Sequence, residues 1–305
     1  MQTKFSFGQK VKFVLSIGPI LGLVSCASVT DFGNQVLDVA GLGAASSVFQ
    51  AGDSLVKATQ SLTREEEYYL GRAVSARILS IYPEVKNSAL QKYINSVGLV
   101  VAASSSRPDT FAGYHFSILK SENFNAYAAP GGFIFITEGL LKALPDEDSL
   151  ANVLAHEVAH VAERHGEKAI STKHMEEAVK GLGDLVGSLT CTEIAQQATV
   201  VFGSAVDDVV AHLFEKGYSR DQEAEADREG LFIAYASGYD PARAIAVISL
   251  MQSIPNQDGG WLSTHPSTGD RAKQMQELID ENNMQAALDG FDARKRRFHK
   301  IVVNS

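Results

Sequence analysis

Five consecutive residues, His156-Glu157-Val158-Ala159-His160, offer two imidazoles and a carboxylate within little more than one helical turn. At about 100° per residue the two histidines stand about 40° apart on one helix face, so both can reach a single ion, with Glu157 flanking them. Three protein ligands around zinc, with a fourth position left to water, make a catalytic rather than a structural site. Such a metal polarises a carbonyl and acidifies the water, while a neighbouring carboxylate passes the proton to the leaving amine. Three fixed letters arise by chance in on the order of one chain in a hundred of this length, so a further ligand is required elsewhere. Ser219 to Asp227 supplies one: Glu223 and Asp227 lie one turn apart on a common face. Glu223 can complete the ligand set, and Asp227 can hold the outer nitrogen of a ligating histidine. Glu225 points about 160–200° away and reads as solvated surface. His165 lies about 180° round a continuous helix from His156 and reads as surface or packing, a negative control for metal loss. Arg220 can pair with Glu223 or Asp227, or face solvent. The metzincin pattern is excluded, because Glu163 and Gly166 occupy its Gly and His positions.

These residues need rigid elements beneath them. Pro145-Asp146-Glu147-Asp148 suits a helix N-terminus, and Leu150, Val153, Leu154, Val158 and Val161 predict a partly buried helix running to about His165. Ser219 with Gln222 caps a second helix, through about Ala236, that carries Glu223. Upstream, Thr63 to Glu66 forms a capping box for a helix to about Ser80, and another helix spans Ser88 to Val101. Tyr114 to Leu119, Ala126 to Ala129 and Phe133 to Thr137 read as strands, the last two around Pro130-Gly131-Gly132. Residues 166–216 are helix-prone, Asp240-Pro241 opens a helix to about Ser253, Pro255 to Ser267 is a loop, and Asp270 to about Glu281 is a final helix. The expected fold is α+β and mainly α-helical with a small sheet, one domain over residues 61–283 followed by a mixed-charge tail at 284–305.

Acids outnumber bases 36 to 27, and no basic run interleaved with aromatics occurs, which excludes a nucleic-acid partner. The 45% hydrophobic content suffices for a true core. Residues 1–25 have a separate character: Lys4, Lys10 and Lys12 without an acid, then an apolar run from Phe13 to Val24 that is short for a membrane span. This is a signal peptide. It ends Leu23-Val24-Ser25-Cys26, a lipoprotein box in which Cys26 is lipidated, and residues 26–60, rich in Ala, Gly, Ser and Val, form the tether. Ala27 stands where Asp marks inner-membrane retention, favouring the outer membrane on its periplasmic face. With Cys26 acylated, Cys191 has no internal disulfide partner.

Asn125 to Gly132, His156 to His160, Ser219 to Asp227, and His265-Pro266 with Arg271 follow one another in an order that resembles the zinc peptidases of the CAAX prenyl protease family. The likeness covers roughly residues 63–282 and is greatest for its bacterial lipoprotein branch, which includes the beta-barrel assembly-enhancing proteases. Multi-span membrane members have transmembrane helices with no counterpart in this sequence. The resemblance implies a gluzincin-like fold, one zinc ion per chain, and Glu157 as the catalytic carboxylate. His156, His160 and Glu223 become the metal ligands, with Asp227 behind them. The segment containing Asn125, Ala126, Gly132 and Phe133 becomes an edge that receives substrate as an added strand. His265, with Arg271, becomes a latch or a transition-state contact. The implied function is cleavage of unfolded or misassembled envelope proteins, with outer-membrane assembly machinery as a partner. The alternative is a lipoprotein chaperone with a latent zinc site, holding clients through residues 166–216.

Overall fold

A computed structural model describes residues 62–186, 202–253, 261–265, 270–285 and 289–303; Cys26 with its tether, and Cys191, lie outside the described residues. Helix α1 (Arg64–Ile81) starts at the capping box read from the sequence: the Glu66 amide donates to Thr63 Oγ1 at 3.2 Å, and the Thr63 amide donates to Glu66 Oε2 at 2.8 Å. Helix α2 (Ser88–Ala103) is capped by Asn87. A three-stranded sheet follows, with β1 (His115–Leu119), β2 (Ala126–Ala129) and β3 (Phe133–Thr137) in the order β1-β3-β2. The central strand β3 runs parallel to β1, with Phe116 opposite Ile134, and antiparallel to β2, with Ala128 opposite Ile134.

Side-chain alternation sorts the sheet's two faces. Phe116, Ile118, Ala126, Ala128, Ile134 and Ile136 join one core with α2 and the zinc-motif helix. Leu119, Tyr127, Ala129 and Phe135 join another with α1 and α7 (Gly203–Ala211). Between β2 and β3 the chain turns through a 3-10 segment, Pro130–Gly132, in which Gly131 has φ +74°, a left-handed value that glycine adopts without steric cost. Its amide donates to the buried Glu67 carboxylate at 3.0 Å, which Arg107 also binds.

Beyond α3 (Glu138–Ala143) comes α4 (Glu147–Ala162), buried from Glu147 through Val161. Such a helix lies at the centre of the fold, which explains its apolar residues on several faces. Asp146 caps it, accepting from the Ser149 amide at 2.8 Å. The helix does not reach His165. It ends at Ala162; Arg164 adopts the left-handed conformation (φ +57°, ψ +35°), and a separate turn, α5 (His165–Lys168), begins there.

Next come α6 (Thr172–Val186), α7, a π-helical turn at His212–Lys216, α8 (Arg220–Ala236) and α9 (Ala242–Ser253). Within the expected loop from Pro255 to Ser267, residues Trp261–Thr264 form a helical turn, α10, and α11 (Arg271–Glu281) follows. Residues 284–305, expected as a tail, instead contribute α12 (Phe291–Phe298) and a π-helical turn, His299–Val303. Phe298 and Val302 are buried in the main core. Arg294 donates to Asp148 at 2.6 and 2.9 Å, and Arg297 Nε donates to Glu147 Oε2 at 2.7 Å. The acids expected to serve the α4 dipole are therefore buried partners of the C-terminal helix. No described helix is long and apolar enough to cross a membrane.

Candidate metal centre

Helix α8 crosses α4 at close range because of Gly230: a Cβ there would stand 3.2 Å from the amide nitrogen and Cα of His156. Glu223, Asp227 and Gly230 share one face at i, i+4 and i+7, so this contact presents both carboxylates to the motif histidines. The Ser219–Gln222 capping box fixes where α8 begins.

His156 Nε2 lies 3.1 Å from His160 Nε2, and Glu223 Oε1 lies 3.5 Å from His160 Nε2. His265 enters the same cluster, its Nδ1 2.9 Å from Glu223 Oε1 and 3.3 Å from His156 Nε2. Donors bound at about 2.0–2.1 Å around a tetrahedral zinc stand about 3.3–3.4 Å apart, so four buried side chains already converge at nearly that spacing. His156, His160, Glu223 and His265 each place a ligand atom within 4.8 Å of the others. Beside them Glu157 is fully buried, with neither carboxylate oxygen hydrogen-bonded among the described residues. Two buried carboxyl groups, Glu157 and Glu223, beside three imidazoles are a costly arrangement that a divalent cation relieves. The residues fit zinc.

Electrostatics agree. Burial holds His160 well below the ordinary imidazole range, leaving its ring neutral and able to ligate. Burial raises the Glu157 carboxyl, against the pull of His265 and His156. Burial also acts to raise Glu223, but His265, His160 and His156 outweigh it and hold that carboxyl well below its usual range. Asp227, 3.1 Å from His156 Nδ1, fills the supporting place expected of it.

Arg271 is no free transition-state donor. Its guanidinium binds both Asp227 oxygens at 2.6 Å and Glu223 Oε2 at 2.9 Å, and Nη1 also donates to the His265 carbonyl at 3.4 Å. It neutralises two carboxylates and pins the His265 turn. Arg220, by contrast, is exposed. His265 is further fixed by Trp261, whose ring stacks on it at 4.2 Å and whose amide donates to the Phe124 carbonyl at 2.8 Å. Thr264 Oγ1 donates to Asn125 Oδ1 at 3.2 Å.

The expected substrate edge is only partly an edge. Ala126 lies on β2, an outer strand, and Asn125 immediately precedes it. Gly132 belongs to the 3-10 turn, and Phe133 lies on β3 with His115 on one side and Ala129 on the other, so its backbone has no open side. Nor is β2 accessible here, since all four of its residues are buried. A cavity of about 10 Å³ between Ala128, Pro130, His160 and Gly166 has room for scarcely one water.

Two further residues, His165 and Tyr218, belong beside the centre. His165 is fully buried, with Nδ1 2.8 Å from His160 Nδ1, and its Nε2 lies 3.0 Å from Glu225 Oε2. The helix break at Ala162 overturns the angular reasoning that placed His165 on the far side. Tyr218 was also missed: its ring stacks on His160 at 3.8 Å, and its buried hydroxyl has no hydrogen-bond partner among the described residues.

The profile of peptidase family M48 matches residues 88–279. The chain belongs to peptidase family M48. A putative beta-barrel assembly-enhancing protease of Vibrio cholerae is 30% identical over 189 residues, covering 60% of this chain and 37% of that protein. The beta-barrel assembly-enhancing protease of Escherichia coli is 25% identical over 259 residues, 80% of this chain and 50% of that one. The mitochondrial metalloendopeptidase OMA1 of Bos taurus is 31% identical over 174 residues, 54% of this chain and 32% of that one. The M48 chain thus spans between about a third and a half of the length of these relatives. Family membership accords with zinc as the ion for the four-donor cluster.

Glu223→Gln is expected to lower zinc content in the purified protein from about one per chain to a small fraction, because the amide is a much poorer ligand than a carboxylate. Atomic absorption after dialysis measures this. Full zinc content in the variant would remove Glu223 from the ligand set.

Proposed function

We propose that this M48 chain is a zinc endopeptidase that cleaves unfolded or misassembled proteins of a bacterial envelope. The observation that carries the reading is Glu157, buried beside the ligand cluster with neither carboxylate oxygen hydrogen-bonded among the described residues. A purely structural metal site has no use for a further carboxyl group held beside its four donors at such cost. Zinc bound by His156, His160 and Glu223 supplies Lewis acidity and lowers the pKa of a water. Glu157 takes that water's proton and delivers it to the departing amine nitrogen. Asp227 holds His156 through Nδ1, and Arg271 keeps Asp227 and Glu223 ionised and in place. His265, whose Nδ1 lies 2.9 Å from Glu223 and 3.3 Å from His156, would be a fourth donor to that ion, and its withdrawal would make room for a peptide carbonyl.

Envelope substrates are supported by the names of the bacterial relatives and by the lipoprotein box at Cys26. Outer-membrane assembly machinery is the partner that those names suggest. The further likeness to CAAX prenyl proteases rests on the order of the motifs alone. A second reading, a chaperone with a latent zinc site, is favoured by the fourth ligand and the closed β2 edge. Casein digestion by the purified, zinc-loaded protein decides between them, with Glu157→Gln as the control.

Anchoring is tested separately. Cys26→Ser is expected to move the protein from the membrane fraction to the soluble one, because acyl chains supply the membrane affinity. Unchanged fractionation on a sucrose gradient would remove the lipid anchor from this account.

A further inference from the structure

The ligand histidines are held from behind by different devices. His156 reaches a carboxylate directly, Nδ1 to Asp227 at 3.1 Å, and that carboxylate is neutralised by Arg271. His160 reaches a second imidazole, His165, at 2.8 Å, and only through it the carboxylate of Glu225 at 3.0 Å. Glu225 is half-exposed, with Lys168 Nζ 3.7 Å away.

We propose that His165 and Glu225 form a two-residue relay that orients His160 and sets the zinc affinity of the centre. The inference rests on the zinc reading above. If His160 offers its Nε2 lone pair to the ion, Nδ1 must carry the proton and donate it. His165 must then accept through an unprotonated Nδ1, which places its own proton on Nε2, the nitrogen facing Glu225. One protonation pattern therefore satisfies every nitrogen in the row. The Glu225 charge polarises both rings towards the metal, making His160 a stronger donor than a lone imidazole.

The backbone shows how the relay is assembled. Had α4 continued, residue 165 would lie on the far face of the helix. The left-handed turn at Arg164 brings it back, and Arg164 is held there by Nε donating to Glu167 Oε1 at 2.7 Å and by a bond from Nη2 to the Leu62 carbonyl. Neither His165 nor Glu225 touches the other three donors within the contacts of the cluster, so both are positioning residues.

The test measures zinc dissociation constants by chelator competition for the full-length protein, His165→Phe, Glu225→Ala and the double variant, with apo-protein melting followed in parallel. His165→Phe retains the ring's bulk but cannot accept a hydrogen bond. Each single variant is expected to lose zinc affinity, with His165→Phe about tenfold to a hundredfold weaker. The double variant should be no weaker than His165→Phe, because Glu225 acts through that ring. Glu225→Gln, which still accepts but carries no charge, should fall between wild type and Glu225→Ala. Apo melting temperatures for the Glu225 variants should match wild type, since that side chain is half-exposed. Affinities within about twofold of wild type in the Glu225 variants, or losses that add in the double variant, overturn the relay. If His165→Phe does not fold, the Glu225 pair still decides. A wild-type protein without zinc would instead overturn the metal reading itself.

Discussion

Glu157→Gln is expected to lower casein cleavage by about 10²–10⁴-fold, the range for loss of a positioned general base, with zinc content at the wild-type level. The zinc content is expected to stay because Glu157 is not one of the four converging donors; its Oε1 lies 3.7 Å from His265 Nε2. The rate falls because an amide has no lone pair basic enough to take a proton from water. The substitution is nearly isosteric, and in this position it also removes a buried charge that has no hydrogen bond among the described residues. The variant is therefore expected to melt at or above the wild-type temperature when free of metal, since a buried carboxyl group without a hydrogen bond is destabilising. Calorimetry of the apo-proteins and a fluorescent casein assay together check both halves. Equal cleavage by wild type and variant would leave the zinc centre without a catalytic carboxylate and favour the chaperone reading.

His265→Ala is expected to act in the opposite direction, raising the rate of casein cleavage with zinc retained. The ring supplies a fourth donor and so closes a centre that catalysis requires open. It is also held from outside, by Trp261 stacking, the Arg271 bond to its carbonyl and the Thr264 to Asn125 hydrogen bond. An open form that is about 0.1–10% populated implies a gain on the order of tenfold or more once the closing ligand is removed. Zinc remains because His156, His160 and Glu223 are a sufficient set. The double variant Glu157→Gln with His265→Ala should cleave nothing, showing that the extra activity passes through the same carboxylate. A slower His265→Ala enzyme with unchanged zinc would make this imidazole a transition-state donor and not a latch.

The parts of this molecule readable from sequence are those governed by local rules. The helices bearing His156, His160 and Glu223 announce themselves by period and caps, and both capping boxes form at the residues that carry them. Convergence of α4 and α8 was inferable only as a chemical need; the device that achieves it, Gly230 against the His156 backbone, depends on a contact no periodicity encodes. His165 escaped because its left-handed predecessor is Arg164, not glycine, so nothing in the letters marks the break. The C-terminal helix escaped for a different reason. Arg294 and Arg297 read as solvated charges until their partners, 146 and 150 residues upstream, are known.

That separation governs the order in which the molecule can be completed. Glu147 and Asp148 sit at the root of the zinc-bearing helix with no exposure to solvent, and each is matched by an arginine made long after it. Until those arginines dock, the two carboxylates have only neutral donors, the hydroxyls of Tyr93 and Tyr239 and the Asp240 amide, and burying them costs more than it does in the finished fold. Its root is thus completed by contacts that close loops of about half the chain. A chain under synthesis holds the histidine pair well before it holds the clamp, and the acids at the root of the zinc helix meet their countercharges only once Arg297 has been made.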